Sequence, residues 1–163
     1  MAALLPTKIP IWYKLFFLYI EPFSTLVGAF YACLHQQTYL ELTHARSAPR
    51  GSIPIGASIA LFQLGNLYLL FALTEAMVLR STRDVKVWRG VLIPMLIADI
   101  GHLYSVAPLG LEIYWSFLEW NAIDWGNIAF VYIGATTRTA FLLGVGLWSS
   151  ASHDSQGRKL RTK

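Results

Sequence analysis

Residues 51–74 run without a single charged side chain, and further stretches at 12–34, 90–108 and 127–149 are nearly as apolar. Together with the window 56–79, each matches the roughly 20 residues that a helix needs to cross a ~30 Å hydrocarbon layer. Inside lipid every backbone N–H and C=O must be satisfied within the protein, which leaves helices and closed barrels. None of the windows alternates strictly, so they read as helices. Composition closes the soluble alternative. Of 163 residues, 55% are hydrophobic and 13% charged, where a soluble domain carries about 25% charged residues. The same apolar excess excludes disorder. The expected fold is an all-α integral membrane bundle of four transmembrane helices spanning residues 1–150. A basic, disordered tail follows at 151–163.

Basic residues orient the bundle. With four spans, the N-terminus, the 80–89 loop and the tail share one side, which holds Lys8, Lys14, Arg80, Arg83, Lys86, Arg89, Arg158, Lys159, Arg161 and Lys163. The opposite side holds Arg46 and Arg50. Positive charge marks the cytosolic face, so both termini are expected in the cytosol. Trp12, Trp88 and Trp148 fall at cytosolic span ends and Trp115, Trp120 and Trp125 at the other, as two interfacial belts. The net charge of +4 therefore serves topology and headgroup contact, and no nucleic-acid partner is expected. The bilayer itself is the first partner. Glu21 and Pro22 within the first window, without a small-residue cleavage site, argue against a cleaved signal peptide. The tail ends Lys159-Leu-Arg161-Thr-Lys163, close to a dibasic retrieval signal of the endoplasmic reticulum.

Loop 35–55 is polar and rich in turn residues, whereas 109–126 is aromatic and acidic without a base. The latter suits a segment in the interface plane or one folded back as a lid. One cysteine, Cys33, excludes an internal disulfide or a cysteine-cluster metal site. His35, His44 and His102 lack a His-x-x-x-His pairing, so no metal and no cofactor are expected.

Polar groups inside the windows carry the functional information. A charge at mid-membrane costs ~2.5–3.5 kcal/mol on insertion scales, so it needs a reason to be there. Counted from the non-cytosolic boundary, Asp99, Asn66, Arg138 and Glu21 lie at depths of roughly 14, 15, 17 and 20 Å. Glu21, Ser24, Thr25 and Gly28 form one helical stripe, Gln63 and Asn66 another, and Asp99 and His102 a third. Turned inward, these stripes meet. Thr136, Ala140 and Gly144 form a small-residue seam on the face away from Arg138. Pro22 and Pro94 remove helical hydrogen bonds and free the carbonyls of Leu18 and Gly90. Glu75, near a span end, is expected to snorkel towards Arg80 or Lys14.

Two readings of the cluster stand side by side. In one, Arg138, Asp99 and Glu21 are a buried ion-pair network that fixes helix register, and the protein is a scaffold for other membrane enzymes or for a second copy of itself. In the other they border a cavity for a lipophilic small molecule. Asp99, His102, Glu21 and Arg138 are then the candidate catalytic residues, working by acid–base chemistry. Asn66, Gln63, Asp124, Trp125 and Asn127 are the candidate substrate-binding residues.

The strings Phe16-Phe-Leu-Tyr-Ile-Glu-Pro22, Asn66-Leu-Tyr-Leu-Leu-Phe-Ala-Leu73, Ala98-Asp-Ile-Gly-His-Leu-Tyr104, Trp120-Asn-Ala-Ile-Asp-Trp-Gly-Asn127 and Gly134-Ala-Thr-Thr-Arg-Thr-Ala-Phe141 resemble a family of small fungal multi-spanning proteins carrying a domain of unknown function. Some such proteins are similar to accessory genes of natural-product clusters, which implies a lipophilic metabolite as substrate or cargo. An isomerase or cyclase acting on a terpenoid, sterol or polyketide is the activity expected here. Four-helix sterol isomerases resemble this chain in site type alone, with carboxylates, a histidine and aromatics around an apolar cavity.

Overall fold

The computed structural model describes residues 7–149, with side chains from Lys8 to Leu147. The tail at 151–163 and the side chain of Trp148 lie outside that range. Four long helices make up the bundle: α1 (Ile11–Leu34), α3 (Ile55–Leu79), α4 (Val85–Ser105) and α5 (residues 122–142). A nine-residue helix, α2 (Gln36–His44), fills much of the first loop. Strand β1 (Thr7–Lys8) pairs antiparallel with β2 (Trp148–Ser149), which brings both ends of the described chain to one end of the bundle.

Three helices, Ile11–Leu34, Ile55–Leu79 and Val85–Leu109, are long and apolar enough to cross a membrane. Helix α5 is comparable in length but more polar, because Asn127, Thr136, Thr137, Arg138 and Thr139 interrupt its apolar surface. It also starts and stops earlier than the window 127–149. Its start is a capping box. The Asn121 side chain accepts from the backbone N–H groups of Ile123 and Asp124, while Asp124 Oδ2 accepts from the Asn121 N–H at 3.0 Å. Its end is a Schellman turn, in which the N–H of Val145 donates to Ala140 O and that of Gly144 to Phe141 O. Gly144 takes φ +82°, open to a residue without Cβ. Gly144 therefore ends the helix rather than extending the seam. Thr136 lies exposed on the outer surface.

Helix α1 carries a π-helical turn at Phe16–Ile20, just before Pro22. The proline has no N–H for Leu18 O, and Arg80 Nη2 donates to that carbonyl instead, at 3.2 Å. The same guanidinium lies 5.0 Å from the centre of the Tyr19 ring. Helix α4 runs through Pro94 as one helix. Two more π-helical stretches, Thr74–Leu79 and Trp125–Ala129, lie in α3 and α5.

The helices pack as two pairs. Helix α1 lies close against α3 where Gly65 leaves room, since a Cβ there would collide with the Cys33 sulfur. Helix α4 packs on α5. At the end carrying β1 and β2 the pairs converge on Tyr13, Phe16, Phe17, Leu79, Trp88, Leu92 and Phe141. Trp88 is 1% exposed, so it belongs to this core rather than to an interfacial belt. Towards the far end a smaller cluster of Ala32, Tyr39 and Leu61 joins α1, α2 and α3. The bundle is thus shut at one end and parted towards the other.

Candidate functional site

Between the far halves of the two helix pairs lies a cavity of about 500 Å³. Its walls are mostly apolar: Leu64, Leu67 and Phe71 from α3, Met95 and Ala98 from α4, and Phe130 and Val131 from α5. Tyr31 and Tyr68 add aromatic faces. Tyr39 and Leu42 of α2 close over it, with the Tyr39 hydroxyl 3.4 Å from that of Tyr68. The roof is held in place from outside, because Asn121 Nδ2 donates to Leu42 O at 2.8 Å.

The charged cluster forms the floor. Arg138 is 2% exposed. Its Nη2 donates to Glu21 Oε1 and its Nη1 to Asp99 Oδ2, the latter at 2.5 Å. Glu75 Oε1 lies 3.6 Å from Nη2. One side chain from α5 thereby engages carboxylates of α1, α3 and α4. Gly134, one turn before Arg138, makes room for this: a Cβ there would sit 2.9 Å from Nη1. The guanidinium also lies 5.8 Å from the Phe17 ring centre, so the site rests directly on the aromatic core. Buried charges demand such pairing, since each left alone costs several kcal/mol.

Glu21, Asp99, His102, Arg138 and Asn127 all border the cavity, as do Ser24, Thr25 and Gly28 of the Glu21 stripe. Thr25 donates to Glu21 O at 2.8 Å, one turn below. His102 stands one turn above Asp99 on α4, and its Nε2 is buried with no hydrogen-bond partner among the described residues. Four expected binding residues lie elsewhere. Gln63 and Asn66 are exposed on the outer surface of α3, and an uncharged amide tolerates that position as a carboxylate would not. Trp125 is 52% exposed and stacks edge-on against Trp120. Asp124 is occupied by the α5 cap.

Glu75 also departs from expectation. It is fully buried beside Arg138, while Arg80 takes the Leu18 carbonyl. Helical spacing accounts for it, since Glu75 continues the buried face of α3 that carries Leu61, Gly65 and Ala72. The segment after α4 forms two short 3-10 turns, Ala107–Leu109 and Leu111–Tyr114, pinned by Tyr114 to Leu103 O and Trp120 to Ile113 O. None of residues 107–121 borders the cavity, and Leu118 is 88% exposed. The roof is α2, whose Tyr39, Leu40 and Leu42 were an inward-facing signal in an otherwise polar loop.

Residues 6–147 match the family model described as a domain of unknown function (DUF7704), and the chain belongs to that family. No curated protein and no solved structure matches it.

Proposed function

We propose that this member of the DUF7704 family crosses the membrane four times with both ends in the cytosol, and holds a lipophilic small molecule polar end first on the Arg138 floor. One coincidence carries the reading: an apolar-walled cavity of about 500 Å³ ends on a buried set of ionisable groups. Ligand sites have this form, a largely apolar hollow with a few convergent polar groups. Asp99 and His102, one turn apart, are placed for proton transfer to and from a bound molecule, with Arg138 holding the Asp99 carboxylate. Such a pair suits isomerisation or cyclisation of a terpenoid, sterol or polyketide without a cofactor. Entry from the bilayer has a route. A surface groove lined by Tyr19, Ile20 and Phe23 shares Ser24, Val27 and Phe130 with the cavity.

Substituting Asp99→Asn and His102→Ala separately tests the chemistry. Each should abolish the product in metabolite profiles while membrane abundance of the protein stays normal. Unchanged products from both variants would sink the catalytic role. For topology, Lys8, Lys14, Arg80, Arg83, Lys86 and Arg89 gather at the closed end and Arg46 and Arg50 at the other. A tag inserted near Gly51 should resist protease added to the cytosolic face, whereas a C-terminal tag should be cleaved. The opposite pattern would invert the orientation. The endoplasmic reticulum is the membrane we assign from the basic tail.

A second reading has its own support. Arg138 touches acids from all three other long helices and is almost fully buried, as a register-fixing network would be. A scaffold built this way would lose abundance in Asp99→Asn, with no loss of product beyond that, and would tolerate His102→Ala.

A further inference from the structure

We propose that the ligand's polar end is a cation, so that the cavity selects a lipophilic amine or other positively charged head over a neutral or acidic one. The inference rests on the reading of the cavity as a ligand site. Three carboxylates, from Glu21, Glu75 and Asp99, share one guanidinium. Two of them, Glu21 and Asp99, border the hollow, against one guanidinium. Arg138 borders it too, but the side chains of the two acids are the more exposed, at 9% and 13% against 2%. Glu21 borders the cavity, and its Oε2 is buried without a hydrogen-bond partner among the described residues. Nη1 and Nη2 of Arg138 each already donate to a carboxylate, so an incoming anion would compete with Asp99 and Glu21 for the guanidinium.

The walls agree with the floor. Tyr31, Tyr68, Phe71 and Phe130 border the space above Asp99, and ring faces attract a desolvated cation. A cationic head on an apolar body thus meets carboxylates at its charged end and rings around it. A fatty acid would bring a further carboxylate beside Glu21 and Asp99, where like charges repel across a poorly screened gap. An alcohol would hydrogen-bond to Asp99 without relieving the charge surplus.

The test uses the full-length protein in lipid nanodiscs and three probes with one tail: tetradecylamine, tetradecanol and tetradecanoate. A ligand that binds only the folded state raises its unfolding temperature. Tetradecylamine should stabilise the wild type at the lowest concentration, tetradecanol only at about tenfold more, and tetradecanoate not at all. Asp99→Asn should weaken the amine about tenfold and leave the alcohol unchanged, with Asp99→Glu restoring the amine. If Asp99→Asn does not fold, Glu21→Gln is read the same way. Equal or better stabilisation by the alcohol or the carboxylate would overturn the charge preference while leaving the cavity a ligand site. Stabilisation by none of the three would overturn both.

Discussion

Replacing Arg138 with methionine is expected to cost about 3–5 kcal/mol of stability, seen as loss of folded protein from membranes and a large fall in unfolding temperature. Methionine lowers the cost of inserting α5, but it strands Glu21, Asp99 and Glu75 together without a cation. Each of these belongs to a different helix, so relieving their repulsion means parting the bundle at its middle. A companion variant separates this cause from lost packing. Adding Glu21→Gln, Glu75→Gln and Asp99→Asn to Arg138→Met should recover much of the loss, because neutral partners in a buried site remove the unpaired charge. Wild-type abundance for Arg138→Met alone would show that the guanidinium is not what holds the three acids together.

Trp88→Ala should be comparably severe, at about 3–5 kcal/mol. The indole is stacked on Phe141 at 5.5 Å and meets Phe17 edge-on at 6.3 Å, and its Nε1 donates to Thr82 O at 3.1 Å. Phe17 in turn lies beneath the Arg138 guanidinium, so the hole left at the closed end reaches the floor of the cavity. Trp125→Ala is the control, because that ring is half exposed and its loss should change stability by less than about 0.5 kcal/mol. Equal effects from the two would mean that the closed end is not a packed core.

The charged floor was legible in the sequence for an energetic reason. Glu21, Asp99 and Arg138 interrupt apolar windows at a shared depth, and a charge so placed has few resting states other than a partner on a neighbouring helix. The same argument says nothing about which way an amide faces. Gln63 and Asn66 sit at that depth too, yet they turn outward, since the penalty that forces a carboxylate inward is much weaker for them. Glu75 escaped because its place near a span end suggested snorkelling, although it continues the inward face of Leu61, Gly65 and Ala72. The ends of α5 were readable in principle, from Asn121 and Asp124 spaced as a capping box and from Gly144 after an apolar turn. A window of mean hydropathy blurs both signals. Helix α2 is the largest omission, a polar nine-residue helix whose inward face consists of little more than Tyr39, Leu40 and Leu42.

What the whole account requires is that the hollow above Arg138 be occupied by something lipophilic when the protein sits in its own membrane. Ala98 borders that hollow from α4, one residue before Asp99. Ala98→Phe fills the space without touching the charged floor. Wild-type protein purified from its native membrane and extracted for mass spectrometry should carry one dominant lipophilic compound near equimolar amounts. Ala98→Phe, folded and equally abundant, should carry none. The same mixture of bulk lipids on both proteins would contradict the account.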